Sequence, residues 1–140
     1  MSDRAREAIA RVPLFSSLSP RYRKRLADLT EEQRFMAGAS VVQEGEIGDT
    51  FYLILEGEAK VVDRTGRTVN RLYPGVFFGE ISLLDGGART ATVIADTPLT
   101  TLTLRRKDFM KLLRQEPHVA VNLLSHVAGL LRRLQRSIAN

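Results

Sequence analysis

The run Phe51-Tyr52-Leu53-Ile54-Leu55-Glu56-Gly57-Glu58-Ala59-Lys60-Val61-Val62 decides the fold. Five apolar β-formers, a Glu-Gly-Glu break and a second β-rich run read as two strands joined by a turn. Working outward, further strands are expected over 41–43, 68–73, 90–95 and 99–104. Breakers separate them: Gly38, Gly45, Gly48-Asp49, Gly66, Pro74-Gly75, Gly86-Gly87 and Pro98. Many short strands with a turn at close intervals indicate an antiparallel sandwich or barrel. Asp63-Arg64-Thr65-Gly66, with β-formers on both sides, reads as a hairpin tip.

Both flanks change to a helical pattern. A short helix over 4–11, capped by Ser2 or Asp3, should stop at Pro13. Ser19-Pro20 supplies an N-cap and a first-turn proline for a second helix, with Tyr22, Leu26 and Leu29 on one face. Leu14 and Phe15, in the bend between, should plug into the body of the domain. A helix over 108–113 closes before Pro117, which opens a long helix running to near Asn140. Leu124, Val127, Leu131, Leu134 and Ile138 fall at spacings of 3, 4, 3 and 4 along it. That seam suits packing on the barrel or on a second copy of the chain. The expected class is α+β, mainly β, in a single domain over 1–140. A helical lead-in (1–32) precedes an antiparallel sandwich or barrel (33–104), which the family resemblance given below makes an eight-stranded antiparallel β-roll, or jelly roll, and C-terminal helices follow (105–140).

Composition narrows the function classes. The 140 residues have 44% hydrophobic and 26% charged content, ordinary for a globular protein, and no cysteine, so thiolate metal sites and disulfides are excluded. His118 and His126 lie eight apart on the long helix without convergent carboxylates and read as ordinary surface or core histidines. No metal is expected. The charged start is unlike a signal peptide and no apolar run reaches membrane-spanning length, so a cytoplasmic location is expected. The net charge of +5 is uneven: residues 1–104 hold 13 basic and 14 acidic side chains, residues 105–140 hold 8 and 2. The basic tail could draw nucleic acid, but reads first as a solvated helix face. No nucleophile elbow, P-loop or Gly-x-Gly-x-x-Gly motif occurs, so no enzyme activity and no catalytic residues are expected.

One stretch, Phe78-Gly79-Glu80-Ile81-Ser82-Leu83-Leu84-Asp85-Gly86-Gly87-Ala88-Arg89-Thr90-Ala91-Thr92, assembles complementary parts. Gly79 permits close approach of backbone to a ligand. Ile81 to Leu84 can form one helical turn whose free N–H groups suit an anion. Arg89 adds a planar fork for a phosphate. Glu80 cannot accept from an ionised phosphate, so its partner is a hydroxyl or a basic group.

This stretch resembles the phosphate-binding cassette of the cyclic nucleotide-binding domain family, shared by catabolite activator protein, protein kinase A regulatory subunits and cyclic nucleotide-gated channels. Pro13-Leu14-Phe15-Ser16-Ser17-Leu18 resembles the family's N-terminal motif, and the run from Gly45 to Gly57 its central strand-turn-strand signature. The resemblance implies that Arg89 pairs with the cyclic phosphate, with Gly79 and the N–H groups of Ile81 and Ser82 beside it. Glu80 would accept from the ribose 2′-hydroxyl. Thr90 matches a position that bonds the phosphate or a syn purine. Val62 and Leu72 would flank the base, and Leu130, Leu134 and Arg133 would form a lid. The ligand implied is cAMP, with cGMP open and a cyclic dinucleotide as a variant. Where the family often has proline, Ala88 makes the bend less rigid, which should weaken binding through added ordering entropy.

The expected role is a regulatory sensor, with the last helix as lid and output, a homodimer through that helix, and an unidentified effector. Family transcription factors carry a helix-turn-helix after this helix; none is read here, so a stand-alone sensor or part of a larger protein is expected. The rivals are a roll that binds no nucleotide and serves as an interaction scaffold, and a nucleic-acid binder using the basic tail.

Overall fold

The computed structural model describes residues 2–139. Among them, helices α1 (Ser2–Arg11) and α2 (Pro20–Leu29) flank a single 3-10 turn at Pro13–Phe15. Eight strands follow: β1 (Glu31–Phe35), β2 (Ser40–Val42), β3 (Thr50–Glu56), β4 (Ala59–Val62), β5 (Thr68–Leu72), β6 (Phe77–Phe78), β7 (Thr92–Ala95) and β8 (Leu99–Arg105). A short helix α3 (Glu80–Asp85) interrupts them between β6 and β7, and α4 (Arg106–Gln115) and α5 (Pro117–Ala139) complete the chain described. The strands form two four-stranded antiparallel sheets, ordered β1-β8-β3-β6 and β2-β7-β4-β5. This is the expected jelly roll with helices at both ends.

The continuous apolar run of β3 has a direct cause. Phe51 and Leu53 point into a core shared with the helices, while Tyr52 and Ile54 point between the two sheets. A strand covered on both faces reads as a solid block rather than as an alternation. On the helical side Phe51 stacks on Phe109 of α4 at 4.9 Å and on Phe77 of β6 at 5.4 Å, and meets Phe15 edge-on at 6.1 Å. Three segments distant in sequence are thereby fixed around one ring. Leu14 and Phe15 are buried, as their position in the bend suggested.

Local signals hold at several joints. Ser19 Oγ accepts from Tyr22 N at 3.2 Å as the N-cap of α2, and α1 ends two residues before Pro13. The Asp63 carboxylate accepts from Thr65 N and Arg67 N at 2.9 and 3.0 Å, closing the β4–β5 hairpin. The Thr65 hydroxyl also donates to this carboxylate, and this bond foremost, with the backbone ones, holds its pKa below the ordinary carboxylate value. The Ser2 side chain, one proposed cap of α1, lies outside the described residues.

Two expectations are corrected. The helical lead-in ends at Leu29 rather than 32, because Glu31–Phe35 pairs with β8 as an edge strand. Its polar, exposed sequence carries no alternation to reveal it. β6 is only two residues long and likewise left no pattern. Leu29 is 49% exposed; Leu26 and Ala27 are what α2 buries.

The seam read on α5 also faces outward. Leu124, Leu131, Leu134 and Ile138 are 54–77% exposed, and only Val127 packs against the core. The docked stripe is instead Val119 and Leu123, both nearly fully buried, continued by His126, Leu130 and Arg133. Among the described residues no helix is long and apolar enough to cross a membrane.

Candidate functional site

β6 delivers the chain to α3 through Gly79, whose φ of 92° lies in the left-handed region that glycine tolerates. Space forbids a side chain there as well, since a Cβ would come within 2.9 Å of both Arg89 Nη1 and Thr50 O. The helix is anchored by Leu83, which is fully buried, and by Arg106 Nε, which donates to Leu83 O at 2.8 Å near the negative end of α3. The N–H groups of Ile81 and Ser82 fall in its first turn, where no intrahelical acceptor exists.

Arg89 is pinned at backbone and side chain. Its N–H donates to Glu46 O at 2.7 Å and its carbonyl accepts from Gly45 N at 2.9 Å. Arg89 is 7% exposed, and its guanidinium spreads three donors over the site: Nη1 to Ser82 Oγ (2.9 Å) and Gly79 O (3.1 Å), Nη2 to Thr50 O (2.8 Å). Cζ sits 5.8 Å from the centre of the Tyr52 ring. Of its five N–H donors, two have no protein acceptor among the described residues. Burial pulls its pKa below the ordinary arginine value, opposed by Tyr52, Asp49, Glu46 and Glu80. An arginine so far above neutrality stays charged regardless. Gly48 allows this packing, because a Cβ there would overlap both Ser82 Oγ and the guanidinium.

Glu80 is 6% exposed, and its Oε2 lies 3.0 Å from His126 Nε2 on α5. Of the two partners its chemistry allowed, a hydroxyl or a basic group, the protein itself supplies the basic one. Glu80, Ser82, Arg89 and His126 border a cleft of about 400 Å³, within the range of small-molecule pockets. Gly79, Ile81 and exposed Thr90 lie on the same lining, with Leu72 and Val61 forming an apolar wall and Leu130 and Arg133 reaching it from α5.

Two sequence candidates are not brought there. Val61, not Val62, faces the cleft, and the pairing of β4 with β5 shifts register between these two residues. Such a bulge re-aims side chains in a way that strict alternation does not foresee. Leu134 is 57% exposed and off the lining, one turn past where α5 meets the roll. The residues missed by sequence are His126, Val61 and Gly48. His126 had a signal in the 4, 3, 4, 3 spacing from Val119 to Arg133, parallel to the more apolar seam from Leu124 to Ile138.

The arrangement offers a buried cation with free donors, helix-turn N–H groups, a carboxylate and an apolar wall. That set suits an anion carrying a hydroxyl and a flat apolar ring. Among the described residues no group of three or more His, Asp or Glu could hold a metal ion.

Comparison with known proteins agrees with this chemistry. The family model for the cyclic nucleotide-binding domain matches residues 32–116. A cAMP-dependent protein kinase regulatory subunit from Eremothecium gossypii is 44% identical over 102 residues, 73% of this chain and 22% of that protein. The chain spans about a quarter of the length of the curated relatives it matches, from 22% to 29% in the first three. Among solved structures, Thermus thermophilus catabolite activator protein superposes with a TM-score of 0.82 at 32% identity, over 91% of this chain and 62% of that one. The regulatory domain of Toxoplasma gondii PKA, crystallised with cAMP, gives a TM-score of 0.80 at 28% identity, over 91% of this chain and 49% of that one.

Proposed function

Because the chain belongs to the cyclic nucleotide-binding domain family, we propose that it binds a cyclic mononucleotide, cAMP ahead of cGMP, as a regulatory module that does no chemistry on it. The observation that carries this reading is the meeting of Gly79, Glu80 and Arg89 on one cleft bordered by α5. The cyclic phosphate takes the free donors of Arg89 and the N–H groups of Ile81 and Ser82. Glu80 accepts from the ribose 2′-hydroxyl through Oε1, which has no protein partner among the described residues. The base lies against Val61 and Leu72, with Leu130 and Arg133 above it. The preference for cAMP rests on the relatives, which are cAMP-dependent kinase regulatory subunits. Thr90, on the rim, is the residue through which cGMP would compete.

Output follows from what the cleft joins. α3 and α5 border the same cavity, so a ligand seated between them favours the arrangement in which both are drawn in. Such coupling is typically about 1–3 kcal/mol. The outward seam of α5 is the surface we assign to a second copy of the chain, and an effector protein or domain completes the switch. Calorimetric titration with cAMP and with cGMP tests the reading. Saturable binding of cAMP supports it, tighter cGMP binding reverses the base preference, and silence from both leaves a scaffold.

A further inference from the structure

The nucleotide reading gives no role to His126, a polar residue on the lining of the cleft. His126 lies 46 positions from Glu80 in sequence, on a different helix, yet its Nε2 is 3.0 Å from Glu80 Oε2. Its ring packs 4.7 Å from Phe77 of β6, tilted by 48°, and its side chain is 35% exposed toward the cleft. A carboxylate accepts only, so the proton of this contact is on Nε2.

Glu80 needs such a partner. A nearly buried carboxylate without a hydrogen bond is costly, and its rotamer is set by whichever donor reaches it. Among the described residues His126 is the one side chain hydrogen-bonded to it. Arg89 attracts it at longer range, but the arginine's bonded donors go to Gly79, Ser82 and Thr50. The contact ties together two elements of the cleft: α3 carries the ligand groups and α5 closes it. Among the described residues another polar tether of α5, Asn122 Nδ2 to Leu14 O at 3.3 Å, holds the helix to the 3-10 turn and not to α3.

We propose that His126 is the positioning residue for Glu80: from α5 it holds Oε2, so that Oε1 is presented to the ribose 2′-hydroxyl and sugar recognition depends on α5 being seated. This rests on the nucleotide reading of the cleft. His126 acts through Glu80, so its worth is expressed in one ligand group, the 2′-hydroxyl, rather than in overall affinity. Once α5 lifts, Glu80 loses its brace and the discrimination between ribose and deoxyribose falls.

The test is a cycle in protein and ligand together. Affinities for cAMP and 2′-deoxy-cAMP are measured calorimetrically on the whole chain for wild type, His126→Ala and His126→Gln. The Ala variant should lose about fivefold in cAMP affinity, the worth of one hydrogen bond, while its affinity for the deoxy analogue stays within about twofold. The Gln variant, whose amide N–H can donate to Oε2, should recover part of the ratio. In a Glu80→Gln background the His126→Ala change should leave the ratio unmoved. Equal losses for both ligands, or no change in the ratio, would overturn the role of His126 while leaving nucleotide binding intact. Failure of wild type to bind either ligand would overturn the nucleotide reading itself, and this proposal with it.

Discussion

Replacing Arg89 by alanine removes a group on which the ligand-free protein itself depends. The guanidinium bonds Gly79 O, Ser82 Oγ and Thr50 O at 2.8–3.1 Å, so truncation strips three acceptors at the junction of β3, α3 and β6. Water from the adjoining cleft can reach them, which holds the cost near the low end for such bonds, about 1 kcal/mol each. Against this stands relief of a buried charge, the desolvation that pulls the arginine's pKa down. The net expectation is a loss of about 2–3 kcal/mol, or roughly 6–12 °C in Tm for a domain of this size. Differential scanning calorimetry without nucleotide reads it directly. Arg89→Lys keeps the charge but not the fork, and should recover less than half of the loss. An alanine variant that melts with wild type in the absence of ligand would refute the structural role given to this side chain.

Gly48→Ala should act at the same place from the opposite wall. The new Cβ overlaps Ser82 Oγ and the Arg89 guanidinium, so titration should show cAMP affinity reduced by about tenfold, a strain of 1–3 kcal/mol being typical of overpacking; unchanged affinity would show that the guanidinium can move without consequence. On α5, Leu131 and Leu134 are 54% and 57% exposed on the outward seam. Sedimentation velocity should find wild type dimeric and the paired change Leu131→Glu with Leu134→Glu monomeric, whereas a monomeric wild type would overturn the assignment of this surface to a second copy.

Where the sequence was legible, the physical signal was local. The Asp63–Gly66 tip, the Ser19 cap and the block of apolar residues in β3 each follow from a few neighbouring side chains, and the structure has them as read. The candidate site was legible for the same reason, since Gly79, Glu80 and Arg89 stand within eleven positions of one another. Edge strand β1 escaped because its exposed Glu31-Glu32-Gln33-Arg34 owes its form to β8, some seventy residues on. Val61 and Val62 could not be told apart without the register shift opposite β5. On α5 two parallel stripes compete, and the more apolar one is the one left outside. Docking is decided by Val119 and Leu123, with His126 carried along to Glu80, a pairing that only the closed roll creates.

On the proposed reading, Gly79, Glu80 and Arg89 together hold a cyclic nucleotide. Calorimetric titration of the whole chain with cAMP tests it most directly, run beside Glu80→Gln. One-site binding by wild type, weakened by about tenfold or more when the carboxylate is neutralised, is the result expected from a hydroxyl bonded to a buried charge. Binding that is indifferent to Glu80, or no heat at all from wild type, would contradict it.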